Sequence, residues 1–328
     1  MRRREFIGAL ASATAWPFAA WAQMLVKTPR VGILWHARSR EAEKPYIDWI
    51  REGFAKVGYI EGKNIVFEER FPNEQPARFV AMAEELVSLN VDLIVAVSTP
   101  SALAAQKATS TIPIVILPIV DPVGLGLVAT LAHPGGNITG LSSMGFDIIP
   151  KRVQFFKEAI PTLSRTALLM NPSSKYDAEK QEAEYQTAAH QFKVTVERVE
   201  AKQAEGLEAA FSDIKQRGFQ GVFISQTPMY FIESTRIAAS AIANGLPIMT
   251  PADQFVTNGA LLSYAAEWRP IFIGAASYAK NILDGGRPSE IPVQQPTKFE
   301  LVVNQITAKA LGLNLSETFL AQADRVIE

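Results

Sequence analysis

Hydroxyl side chains follow one short apolar run of the chain at the point where that run ends. The run Leu93–Val97 leads into Ser98, Thr99, a proline and Ser101. Hydroxyl residues and a proline suit the first turn of a helix, where free backbone N–H groups and the helix dipole bind anions. The segment therefore predicts either a site for a ligand carboxylate or an ordinary helix cap.

Two carboxylates occupy comparable places after other apolar runs. Asp121 follows residues 114–120, and Asp253 follows residues 247–250 after a proline and an alanine. Each carboxylate can hold the ammonium group of a ligand, and each can equally cap the helix that follows it. The sequence leaves both interpretations open.

Neutral hydrogen-bonding side chains follow two further runs. Asn171 comes directly after residues 167–170, and Ser225 and Gln226 come after residues 222–224. In an open parallel sheet, ligands bind beyond the carboxyl ends of the strands. These three residues are therefore predicted to lie at a ligand site.

Three ring-bearing residues are placed to give a small molecule flat contacts. Trp35 and His36 end the first apolar run, and Tyr264 ends a later one. Small-molecule clefts are lined mainly by apolar and aromatic side chains. We include all three in the predicted site, although Trp35 suits the hydrophobic core equally well.

Features of the common enzyme and cofactor classes are missing from the sequence. The three histidines, His36, His133 and His190, have no metal-ligand spacing, and the chain contains no cysteine. The glycine motifs of dinucleotide and triphosphate sites are absent too, as is the Gly-x-Ser-x-Gly motif of serine hydrolases. We therefore predict no catalytic residue, no metal and no cofactor, and expect a protein that is not an enzyme.

Length and net charge limit the number of lobes and the kinds of partner that we expect. The chain has 328 residues, of which 48% are hydrophobic, and its formal net charge is -1. This is enough material for two lobes of ordinary size, each with its own core. A charge near zero gives no electrostatic reason to expect nucleic acid or an anionic membrane as a partner.

The N-terminal segment has the features of an export signal. Arg2, Arg3 and Arg4 precede an apolar, alanine-rich stretch that ends in Ala20-Trp21-Ala22. This order predicts a cleaved signal peptide over residues 1–22, and the arginine pair resembles a twin-arginine signal. Without a cysteine the mature chain has no site for a lipid anchor, so we expect a free periplasmic protein.

Apolar runs alternate with amphipathic helical patterns along the rest of the chain. The runs are continuous rather than alternating, as in Leu93–Val97, which is typical of strands covered by helices on both faces. After residues 133–137 the pattern restarts, indicating a second sheet. The sequence thus predicts an α/β protein with two parallel sheets.

Several segments resemble one family of transport proteins. These are residues 112–128 (IPIVILPIVDPVGLGLV), 131–140 (LAHPGGNITG), 295–304 (QPTKFELVVN) and 307–313 (TAKALGL). They are similar to the ABC-transporter substrate-binding family that includes tryptophan-type and other aromatic amino acid binding proteins. The resemblance extends over essentially the whole mature chain.

The resemblance implies a type I periplasmic binding fold, with two Rossmann-like lobes joined by a three-crossover hinge. The first lobe would comprise residues 30–141 and 260–288, and the second residues 142–259 and 289–328. A ligand carboxylate would lie at Ser98, Thr99 and the amides before Ser101. A ligand ammonium would lie at Asp121 or Asp253.

The implied function is that of the periplasmic solute-binding component of an ABC importer. The protein would bind a small molecule, an amino acid or related carboxylate, and deliver it to an ABC permease in the inner membrane. The family is expected to be monomeric. A periplasmic sensor that presents its bound form to a membrane receptor is the alternative, and an enzyme on a similar scaffold is a third interpretation.

Overall fold

The computed structural model describes residues 27–172 and 175–328. The predicted signal peptide, residues 1–22, lies outside these ranges. No helix within them is both long and apolar enough to cross a lipid bilayer.

The first sheet has the strand order β2-β1-β3-β4-β5 and is parallel throughout. Its strands are β1 (Arg30–Leu34), β2 (Val66–Arg70), β3 (Leu93–Val97), β4 (Ile114–Ile119) and β5 (Ile138–Ser142). The helices between them are α1 (Tyr46–Lys56), α2 (Pro76–Ser88) and α3 (Thr99–Ala108). Every residue of β3 and β4 is buried, as expected for strands covered on both faces.

The second sheet has the order β12-β11-β10-β9-β8-β6-β7, and only the β10–β11 pair is antiparallel. Its strands are β6 (Arg165–Met170), β7 (Thr195–Glu200), β8 (Gly221–Ile224), β9 (Ile248–Thr250), β10 (Leu262–Ala266), β11 (Phe299–Asn304) and β12 (Arg325–Ile327). The remaining helices are α4 (Ile149–Ala159), α5 (Lys175–Gln191), α6 (Leu207–Gln216), α7 (Pro228–Ile232), α8 (Ser234–Ala243), α9 (Asp253–Thr257), α10 (Trp268–Leu283), α11 (Gln305–Ala310) and α12 (Glu317–Leu320).

Within the described residues the chain passes between the two sheets three times. The first passage, residues 143–148, joins β5 to α4, and the second, at Glu267, joins β10 to α10. The third lies between Gln294, which bridges to Leu141 of the first sheet, and β11. These passages confirm the predicted two-lobed α/β fold with a three-crossover hinge.

Helix α10 belongs with the first lobe although it follows a strand of the second. Its residues Ile271, Phe272 and Ala275 share a hydrophobic core with Val31 of β1. The helix packs so closely on α1 that a Cβ at Gly53 would lie 2.4 Å from the carbonyl oxygen of Ile273. Glycine at position 53 therefore permits this helix contact.

Strand pairing differs from the predicted lobe boundaries at two places. Strand β10, within the range 260–288 predicted for the first lobe, pairs with β9 and β11 in the second sheet, because its buried Leu262 lies in register with Met249 and Val303. Gln294, predicted for the second lobe, bridges to the first sheet. Elsewhere the boundaries inferred from the resemblance stand as a proposal.

Candidate ligand-binding site

A pocket lies between the lobes, with about 480 Å³ of empty space that includes solvent at its mouth, and we call it the aromatic cavity. Tyr46 and Phe272 of the first lobe form one wall, with ring centroids 4.8 Å apart. Phe231 of the second lobe and Trp268, just after the second passage, form another, also with centroids 4.8 Å apart. Both lobes thus contribute rings to one space between them.

A second cavity of about 350 Å³ adjoins the first, and we call it the polar cavity. The two share Thr99, Gln226 and Pro228 as lining residues. The other polar side chains of the polar cavity are Asn171, Asp177, Gln181, Ser225 and Thr227. The two cavities therefore lie side by side, one lined by aromatic rings and the other by mostly polar side chains.

The loop from β3 to α3 brings hydroxyl groups to this site. Ser98 and Thr99 line the aromatic cavity, and Thr99 also lines the polar one. The backbone of Ser98 has φ 91°, a strained conformation for a residue with a side chain. Ser101 is turned away from the cavities, because its Oγ donates to the carbonyl oxygen of Trp35 at 2.8 Å.

His36 lines the aromatic cavity and is held between two carboxylates. Its Nδ1 lies 2.8 Å from Oε1 of Glu74, and its Nε2 lies 3.5 Å from Oε2 of Glu43. Burial acts to lower the pKa of His36, but Glu43 and Glu74 outweigh it and raise the pKa to about 9. The ring is therefore an imidazolium at neutral pH, with both nitrogens committed to carboxylates.

The loop after β8 supplies the opposite face of both cavities. Gln226 lines both, and its Nε2 donates to Oγ of Ser143 in the first passage at 3.0 Å. The hydroxyls of Ser225 and Thr227 lie 2.8 Å apart, and both residues line the polar cavity. Asn171 lines the polar cavity as well.

Five residues of the predicted site do not line either cavity, namely Ser101, described above, and four others. Trp35 is fully buried beside Phe71, because its ring lies in the core under the first sheet. Asp121 accepts a hydrogen bond from Tyr176, and Asp253 forms an ion pair with Arg325. The ring of Tyr264 packs against Phe155 and Phe299 of the second lobe.

Conversely, the sequence prediction did not include the residues that form the aromatic walls. Tyr46 and Phe272 lie on helices, where their spacing is that of ordinary core residues. Trp268 and Phe231 carried a usable signal, because each closely follows the end of a strand in the second sheet. No group of three or more His, Cys, Asp or Glu side chains in the described part of the chain is arranged to hold a metal ion.

Residues 39–327 match the family model described as ABC transporter substrate binding protein. The chain belongs to this family. A relative among such substrate-binding proteins is a tyrosine-binding protein of Clostridioides difficile, 30% identical over 281 residues, which are 84% of this chain and 80% of the relative.

Solved structures share the fold of this substrate-binding protein. A conserved domain protein of Vibrio cholerae is 27% identical with a TM-score of 0.85, covering 92% of this chain and all (100%) of its own. An ABC domain of Streptococcus pneumonia in complex with L-Trp is 22% identical with a TM-score of 0.83 and the same coverage, 92% and 100%. Both likenesses extend over the two lobes.

Proposed function

We propose that this substrate-binding protein binds an aromatic amino acid between its lobes as the solute-binding component of an ABC importer. The observation that carries the proposal is that the aromatic and polar cavities share Thr99, Gln226 and Pro228. An aromatic amino acid has the matching two ends, a flat ring and a zwitterionic group. The tyrosine-binding relative supports the same ligand class.

The zwitterionic end has a partner for each charge. The first turn of α3, which begins at Thr99, leaves backbone N–H groups without helical acceptors, and these and the Thr99 hydroxyl would bind the ligand carboxylate. Asp177, which lines the polar cavity, would bind the ligand ammonium. Asp121 and Asp253 line neither cavity, so the ammonium is placed at Asp177 instead.

The aromatic cavity offers no counter-ion to a charged side chain of a ligand. Of the described residues that line the aromatic cavity, only His36 carries a charge, and that charge is already paired with the carboxylates of Glu43 and Glu74. Burying a charged ligand side chain there without a counter-ion is costly. We therefore expect tyrosine, tryptophan or phenylalanine to bind, and glutamate and lysine not to bind.

Binding and hinge closure require no covalent step, so the proposed role is transport rather than catalysis. The mature protein, exported by the signal at residues 1–22, would act as a periplasmic monomer. Its closed form would then dock on an ABC permease of the inner membrane.

The test is calorimetry and thermal shift on the mature chain, residues 23–328. The ligands are L-tyrosine, L-tryptophan and L-phenylalanine, with L-leucine, L-glutamate and a sugar for comparison. Tyramine and 4-hydroxyphenylpropionate, which lack the carboxylate and the amine respectively, are matched controls. We expect a rise in melting temperature with the aromatic amino acids and a much smaller one with either control. Binding of the sugar alone would overturn the proposed ligand class.

The importer role needs a separate measurement. Cells that lack this chain are given the wild-type protein or an Asp177→Asn variant, and uptake of radiolabelled L-tyrosine is followed. We expect the wild-type protein to restore uptake and the variant to restore much less. Unchanged uptake in the absence of the protein would contradict an import function while leaving the binding result intact.

A further inference from the structure

The side chain of Gln254 in α9 hydrogen-bonds to both lobes from behind the aromatic cavity. Its Oε1 accepts a hydrogen bond from the hydroxyl of Tyr46, which belongs to the first-lobe wall. Its Nε2 donates to the carbonyl oxygen of Phe231, in the second-lobe wall, at 3.1 Å, and to Oγ of Ser234 at 3.2 Å. Gln254 does not itself line the cavity.

The direction of these hydrogen bonds is fixed by the chemistry of the partners. The carbonyl oxygen of Phe231 can only accept, so the NH₂ group of Gln254 must face it and Oε1 must face Tyr46. Burial, with further contributions from Glu43 and Asp253, raises the pKa of Tyr46 well above its usual range. Tyr46 is therefore always a donor toward Gln254.

The bond between Tyr46 and Gln254 also depends on how the lobes sit together. Tyr46 is fixed to the first lobe by α1 and by its ring contact with Phe272 of α10. Gln254 is fixed to the second lobe by its bonds to Phe231 and Ser234. Rotation about the three passages would part the two side chains, so the bond belongs to the closed arrangement.

We propose that Gln254 is a positioning residue for ligand retention, which joins the Tyr46 and Phe231 walls when the lobes close. The inference rests on the proposed function, because it places the ligand's ring between these walls. Since the bond forms only on closure, its loss changes ligand dissociation more than association. No contact between protein and ligand is removed with it.

The chain offers a near-isosteric test variant and a matched control. Gln254→Met keeps the length of the side chain and removes its hydrogen bonds. Asn258→Ala removes a neighbouring bond to the same Ser234 hydroxyl, 2.9 Å long, which lies entirely within the second lobe. Tyr46→Phe removes the other half of the interlobe bond and leaves the ring in the wall.

Stopped-flow fluorescence with L-tyrosine gives the decisive rates. We expect Gln254→Met to raise the dissociation rate about three- to tenfold, the range for one hydrogen bond, with association changed less than about twofold. Tyr46→Phe should do the same, and the double variant no more than either single one. Unchanged dissociation, additive effects, or an equal effect of Asn258→Ala would overturn the proposal.

A second measurement separates this proposal from the proposed ligand class. The sequence contains no cysteine, so Lys107→Cys in α3 and Lys215→Cys in α6 give one exposed spin-label site in each lobe. We expect Gln254→Met to shift the label distances of the ligand-free protein toward the open arrangement. Identical distance distributions would overturn the role of Gln254, whereas failure of the wild type to bind L-tyrosine overturns only the ligand class.

Discussion

The hydroxyl of Tyr176 in the second lobe donates a 2.6 Å hydrogen bond to Oδ2 of Asp121 in the first. The other carboxylate oxygen of Asp121 accepts from the backbone N–H of Gly124 at 2.8 Å. The bond to Asp121, together with burial, raises the pKa of Tyr176 to about 12, so the phenol remains a donor at neutral pH. This contact, outside both cavities, links the two lobes.

Removing this hydroxyl should weaken ligand binding without touching the ligand. We expect Tyr176→Phe to lower the affinity for L-tyrosine about two- to tenfold, because one hydrogen bond of the closed form is lost. Calorimetry measures the change. Tyr278→Phe, which removes a 2.8 Å bond to the carbonyl oxygen of Pro292 away from the cleft, is the control and should leave the affinity unaltered.

A side chain at position 124 should block the same contact by size. A Cβ at Gly124 would lie 1.8 Å from the hydroxyl oxygen of Tyr176 and 2.3 Å from Oδ2 of Asp121. We expect Gly124→Ala to weaken binding at least as much as Tyr176→Phe does, since the side chains of Tyr176 and Asp121 must move apart and their hydrogen bond is lost. Gly136→Ala, where a Cβ meets no atom within 4 Å, is the control. Equal affinities of the two alanine variants would contradict this reasoning.

The charge on His36 should make stability fall in alkaline solution. Its pKa is raised from 6.5 to about 9 in the folded chain, so the charged ring stabilises the fold fully below pH 6.5. This contribution, on the order of 3 kcal/mol, is lost as the pH rises through about 9. Urea unfolding of the wild type between those pH values measures the loss.

His36→Gln should show a flatter dependence of the unfolding free energy on pH over the same interval, because the titrating ring is removed. It should also be less stable than the wild type at neutral pH. The reason is that the nearly inaccessible carboxylate of Glu43, 1% exposed, then lacks its cation. His133→Gln, at an exposed position, is the matched control. A wild-type curve with the same slope as His36→Gln would refute the assignment of this slope to His36.

The strained backbone of Ser98 predicts different stabilities for two small substitutions. Glycine tolerates φ 91°, whereas alanine does not, and neither retains the hydroxyl. We expect Ser98→Gly to be more stable than Ser98→Ala by about 1 kcal/mol, while both bind L-tyrosine equally. Chemical denaturation gives the first comparison and calorimetry the second. A Ser98→Ala protein as stable as Ser98→Gly would show that the loop relaxes.

The sequence was informative about residues at the ends of strands. Ser98, Thr99, Asn171, Ser225 and Gln226, which follow apolar runs, all line a cavity. The reason is that the parallel strands of a sheet have their carboxyl ends at the same edge, so the residues that follow them lie close together. That these residues bind a ligand stays a prediction. The two-lobed fold was implied by the family resemblance, which rests on segments spread over the whole chain.

The sequence alone did not determine which polar residues line the cavities and which pair with other side chains of the protein. Asp121 and Asp253 follow apolar runs as Asn171 does, yet their carboxylates are engaged by Tyr176 and Arg325. Those partners are far away in the sequence, and nothing local identifies them. Only the tertiary packing decides the role of each carboxylate.

The aromatic walls were likewise decided by tertiary structure. Tyr46 and Phe272 are separated by more than two hundred residues and have the spacing of core residues on their own helices. They meet because the chain leaves the second sheet after β10 and returns α10 to the first lobe beside α1. Local sequence patterns determine strands, helices and the polar loops between them, whereas a cleft between lobes depends on long-range contacts that a local pattern does not contain.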